Sequence, residues 1–125
     1  MRTRVLTVFL LLGATAAPLA ADARSDAKKQ VEFGITVAQR GLWREAIYRW
    51  ERAAQIDPKY AEAYNDLAIA YEHEGDLEKA RVAYEKALEL EPNNALIKQN
   101  YELFKEINDR TTRKDTPDDP GNQNP

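Results

Sequence analysis

The chain contains no cysteine, one histidine and one serine. Without thiols there are no disulfides, no thiolate nucleophiles and no cysteine-based zinc sites, and acid–base or nucleophilic catalysis is left almost without raw material. The five glycines fall in neither a GxGxxG nor a GxxxxGK(S/T) pattern, so phosphate-cradling loops are excluded. His73 lies between Glu72 and Glu74 with no second histidine to complete a metal site, and reads as a surface residue at a helix end. Ser25 reads as a helix cap. No enzymatic activity, cofactor or metal is expected. A surplus of positive charge is also missing: 18 Lys and Arg stand against 21 Asp and Glu, which makes nucleic acid a poor partner. What is present, in 125 residues, is 43% hydrophobic and 31% charged, the usage of one small globular domain.

The ends differ from the middle. Residues 1–23 open with Arg2 and Arg4, continue into the apolar run from Val5 to Leu12, and close on small residues, the layout of a secretory signal peptide. Ala21 and Ala23 satisfy the small-residue rule for cleavage after Ala23, and cleavage after Ala21 is the competitor. The alternative is an uncleaved anchor: residues 5–21 reach the lower limit of the roughly 17 to 25 residues needed to span a bilayer, although Gly13 and Pro18 weaken such a helix. The expected location is periplasmic or secreted, or membrane-anchored if the segment is kept. At the other end, residues 111–125 hold three prolines and no large apolar side chain, and are expected to form a disordered tail.

Between them lies an internal repeat. Residues 27–60 align without gaps on residues 61–94: Phe33 falls on Leu67, Gly34 on Ala68, Gly41 on Gly75, Ala46 on Ala80, Trp50 on Tyr84, Ala53 on Ala87 and Pro58 on Pro92. Each unit divides at its glycine into two stretches with apolar residues at helical spacing, which predicts a helical hairpin. Gly41 and Gly75 suit the positive φ that ends a helix, Asp76 can cap the helix that follows, and Pro58 and Pro92 stop the second helix of each unit. A fifth helix, 95–110, carries Leu96, Ile97, Tyr101, Leu103, Phe104 and Ile107, with Asn93 or Asn94 as its cap.

The run Tyr64, Leu67, Ala68, Tyr71, Gly75, Ala80, Tyr84, Ala87, Pro92 resembles the tetratricopeptide repeat, with a looser copy before it and a terminal capping helix after it. The resemblance implies an all-α fold of about five helices, a right-handed superhelical stack of antiparallel hairpins over residues 24–110. It further implies a non-catalytic adaptor or scaffold that binds a peptide or helix of a partner protein in a concave groove lined by the first helices. Carried over by position, that groove takes Lys28, Val31, Ile35, Ala38 and Gln39 from the first unit. The second unit adds Glu62, Asn65, Ile69, Glu72 and His73, and Leu96, Gln99 and Leu103 extend the row. Family members that bind chaperone C-termini use a Lys, Asn and Arg carboxylate clamp. The matching positions here are Val31, Ile35, Asp66, Leu96 and Asn100, so that clamp is absent.

Two and a half repeats leave an uncovered face, because a hairpin of this kind buries its apolar side only against a neighbour. Self-association into a homo-oligomer is therefore the alternative role, with membrane contact only if the N-terminal segment is retained. Charge favours the same idea: residues 27–60 carry a balance of +3 and residues 61–94 a balance of −6.

Overall fold

A computed structural model of the chain describes residues 17–115, with side-chain environments for residues 19–110. It is all-α: α1 (Ala17–Gln39), α2 (Trp43–Ile56), α3 (Ala61–His73), α4 (Leu77–Leu90) and α5 (Ala95–Asp115). Helices α1 and α2 form one hairpin, α3 and α4 the next, and α5 packs on α4. Most of the proposed signal segment and the end of the tail lie outside the described residues. No helix among those described is long and apolar enough to cross a membrane.

Both hairpin turns close in the same way. Gly41 and Gly75 each take φ 78°, a left-handed conformation open to glycine at little cost. Two backbone bonds then seal each helix end: Gly41 N–H to Ala38 and Leu42 N–H to Val37, matched by Gly75 N–H to Glu72 and Asp76 N–H to Tyr71. Asp76 then starts α4, its carboxylate accepting the Lys79 N–H at 3.2 Å. Leu42, at the equivalent position before α2, supplies no side-chain cap. Asn94 caps α5 by accepting from the backbone of Leu96 at 3.1 Å and Ile97 at 3.2 Å.

The core is built from small residues at the crossings and large rings between them. Ala46, Ala53, Ala68, Ala80 and Ala87 are fully buried, which lets helices approach closely, while Trp50 and Tyr84 fill the remaining space. The two hairpins solve this packing differently. A Cβ built on Gly34 would stand 2.8 Å from Trp50 Cδ1 and Cε2 and closer still to Nε1, so the indole lies directly on the α1 backbone. It also donates to the Val31 carbonyl at 3.1 Å. In the second hairpin the equivalent positions hold Ala68 and the smaller ring of Tyr84, both buried. On the far side of Tyr84 stand Phe104 and Tyr101 of α5, with ring centroids 5.4 and 5.6 Å away, and this aromatic group fastens the last helix.

Two boundaries differ from the expectation. Helix α1 is already formed at Ala17, the first described residue, and runs unbroken through Ala21 and Ala23, in keeping with the alanine-rich composition of the segment. Ser25 is accordingly an exposed residue inside α1 and not a cap. Arg24 leaves α1 to pair with Asp57 and stack over the Tyr60 ring at 4.6 Å, tying this longer helix to the α2–α3 turn. Burial raises the Asp57 pKa, but the Arg24 and Lys59 hydrogen bonds and charges outweigh it and hold the carboxyl below its ordinary range. Helix α5 continues to Asp115, beyond the expected end at 110.

Candidate functional site

The repeat spacing places Lys28, Glu62 and Leu96 at one register, Val31, Asn65 and Gln99 at a second, and Ile35, Ile69 and Leu103 at a third. All three registers lie on α1, α3 and α5, the first helix of each unit. Their environments change along the array because each helix is covered by the one after it. Val31 is 1% exposed and belongs to the core with Ala63 and Leu67 of α3, so it is not part of the groove surface as expected. Asn65 is 5% exposed, and its side-chain oxygen accepts from Asn100 of α5 at 3.1 Å. It therefore joins α3 to α5. Gln99, on the last helix among the described residues, is exposed.

The third register is the one that is exposed and apolar on all three helices. Ile35 and Ile69 are each 37% exposed, and they face a cavity of about 260 Å³ shared with Ala38 and Gln39 of α1. Trp43 and Trp50 of α2 close its inner side, and Asp66 of α3 completes it. Four of the expected groove residues, Ile35, Ala38, Gln39 and Ile69, thus come together around one apolar depression.

A second cavity, of about 350 Å³, adjoins it at Asp66. Glu62, Asn65 and Leu96 line it, together with Tyr60, Glu91 and Asn94. Glu62 accepts the Tyr60 hydroxyl at 2.7 Å. Lys28, Val31, Glu72, His73, Gln99 and Leu103 line neither cavity. Lys28 is exposed and 4.0 Å from Glu32 on its own helix. Glu72 accepts the Tyr84 hydroxyl at 3.1 Å, an inward structural role. Burial, then the Glu72 charge, raises the Tyr84 pKa. His73 stacks on Trp43 with ring centroids 4.0 Å apart, covering the indole at the rim. Leu103 is 55% exposed on α5.

Trp43 and Trp50 are lining residues that the positional carry-over missed, and Asp66 entered it only as a position of the absent carboxylate clamp. A signal for Asp66 was present: it sits four residues after Glu62 and three before Ile69, on the same stripe of α3. Its environment is unusual for a carboxylate. Oδ1 receives only a long bond from Asn65, at 3.4 Å, and Oδ2 is enclosed with no hydrogen-bond partner. Burial, reinforced by the charge of Glu62, raises its pKa from 3.8 to about 7. Among the described residues no cluster of His, Cys, Asp and Glu could hold a metal ion.

With this geometry in view, comparison with known proteins identifies the repeat. The family model "Tetratricopeptide repeat" matches residues 61–94, and "TPR repeat" matches residues 37–75. The chain carries tetratricopeptide repeats, and its five helices have the all-α hairpin architecture of that fold. Over 114 residues it is 32% identical to the type IV pilus assembly protein PilF of Pseudomonas aeruginosa, an alignment covering 83% of this chain and 45% of that one. It is 35% identical over 69 residues to the small glutamine-rich tetratricopeptide repeat-containing protein 2 of Mycosarcoma maydis, covering 55% and 20%. With the cellulose synthase operon protein C of Escherichia coli it shares 32% identity over 93 residues, covering 68% and 8%. The chain spans less than half the length of each of these relatives.

Proposed function

We propose that the protein is a non-catalytic adaptor that binds a segment of a partner protein on the concave side of α1, α3 and α5. Tetratricopeptide repeats generally mediate protein–protein interaction, and the observation that carries the reading here is the open isoleucine register. Ile35 and Ile69 repeat at the same position, remain 37% exposed, and border a cavity backed by two tryptophans. An apolar socket between helices, large enough for a side chain, is how such a surface seats an extended segment or an amphipathic helix. The relative named for pilus assembly supports an assembly factor as the kind of protein involved. The export-signal layout of residues 1–23 supports work outside the cytoplasm, in a periplasm or beyond.

The test is affinity capture on the full chain beside an Ile35→Glu, Ile69→Glu variant whose helicity is first checked by circular dichroism. Both side chains are partly solvent-facing, so the variant is expected to fold while losing the partner. A partner retained equally by both forms would overturn the groove as the working surface.

A second reading, self-assembly, draws on Leu96, Leu103 and Ile107, which expose an apolar row on α5. It predicts a mass that rises with protein concentration in sedimentation, and a salt-sensitive one if the opposite charge of the two units drives contact.

A further inference from the structure

Four features stand outside the adaptor reading: the apolar row on α5, the charge difference between the units, the pocket beneath α1 near Arg24, and the carboxylate at Asp66. Asp66 is the one whose surroundings specify a ligand. It stands where the two cavities of the concave face meet, apolar walls on one side and Glu62 and Glu91 on the other. Among the described residues, neither cavity has a Lys or Arg in its lining. The protein therefore places a carboxylate at the edge of an apolar socket, leaves Oδ2 without a donor, and adds further negative charge beyond it.

A carboxylate that lines both cavities with only one long hydrogen bond has acceptor capacity to spare, which favours a donor brought by a ligand. A cation is the donor that answers the whole arrangement, since it bonds Asp66 and is attracted by Glu62 and Glu91 together. The apolar walls suit both a neighbouring aliphatic side chain and the methylene stem of a lysine or arginine. An acidic segment would meet like charge at each of these positions.

We propose that the groove selects a partner segment carrying a lysine or arginine next to an apolar residue, the apolar group seated between Ile35 and Ile69 and the cation on Asp66. This rests on the concave face being the binding surface. It inverts the charge preference of the carboxylate clamp whose residues this chain lacks.

The experiment selects binders from a phage-displayed library of random dodecapeptides on the full chain. Synthetic copies of the recovered peptides are then titrated by tryptophan emission, because Trp43 and Trp50 are the only tryptophans and both line the socket. The expected result is enrichment of Lys or Arg beside an apolar residue. Affinity should fall about tenfold or more when that cation is replaced by norleucine or when the protein carries Asp66→Asn, with recovery in Asp66→Glu. Groove-dependent peptides, lost in Ile35→Glu, Ile69→Glu but indifferent to their cation or to Asp66→Asn, would overturn this proposal and leave the adaptor reading standing. Peptides that bind the double isoleucine variant as well as the native chain would remove the groove, and the proposal with it, as would a selection that recovers none.

Discussion

Replacing Asp66 by Asn should stabilise this protein above neutral pH and leave it nearly unchanged in acid. The carboxyl titrates near 3.9 in an unfolded chain and near 7 in the fold, where burial and then the Glu62 charge resist ionisation and a weak bond from Asn65 opposes them. The charged and titratable groups around it are Glu62 on α3, Tyr60 before that helix and Tyr84 on α4, whereas α1 and α2 present Ile35, Ala38, Gln39, Trp43 and Trp50 to the same cavity. The folded state holds the proton more tightly than the unfolded state, so stability is unpenalised below about pH 4, declines as pH rises toward 7, and levels off above. Three pKa units at 1.36 kcal/mol each set an upper figure of about 4 kcal/mol, and the open groove screens this to about 1 to 3 kcal/mol. Asparagine imitates the protonated acid and carries no such penalty. Urea unfolding followed by circular dichroism at about pH 4 and about pH 8 measures the difference directly. Comparing the variant with the native chain at each pH cancels the Asp57 contribution, which has the opposite sign, being present above its unfolded pKa and lost as pH falls. An equal effect of Asp66→Asn at both pH values would refute the reasoning, and would show that Asp66 is solvated and its neighbours do not disfavour its charge.

Two packing predictions follow from the hairpins. Gly34→Ala gains up to about 1 kcal/mol of helix propensity but drives a methyl into the Trp50 indole, and should destabilise by a net of about 1 to 2 kcal/mol. Trp50→Tyr on that background should recover part of the loss, reproducing the Ala68 and Tyr84 pairing, and additive effects in a double-mutant cycle would contradict this account. Asn94→Ala removes the acceptor for two backbone N–H groups and should cost about 1 kcal/mol, with faster hydrogen exchange confined to the first turn of α5. Faster exchange spread evenly over all five helices would mean that the cap acts on the whole fold.

Much of this architecture was legible because its determinants are local. A glycine with φ 78° at each hairpin turn, an aspartate or asparagine before a helix and a proline after one are short-range signals, and the glycines and prolines recur at a fixed spacing. The groove was legible only in part. Position alone assigned Val31, Asn65 and Gln99 the same role, yet the three residues are respectively core, interhelical link and exposed surface. What separates them is which helix stands over each, and the register carries no record of that. That α1 is helical through Ser25 and α5 through Asp115 escaped for a different reason, because helix propensity continued past the last residue that marked a boundary.

The amino-acid order by itself determined the class of fold, the number of helices described, the turns between them and the scarcity of catalytic side chains, since these follow from periodicity, propensity and composition. Only the tertiary structure decided that Trp43 and Trp50 meet Ile35 and Ile69 around one socket, and that Asp66 stands at its edge without a donor. A carboxylate on a polar helical stripe reads as an ordinary solvated charge until its neighbours are known. Its ionisation depends on the solvent removed and the charges placed around it by residues distant in sequence, a three-dimensional quantity that no local pattern encodes.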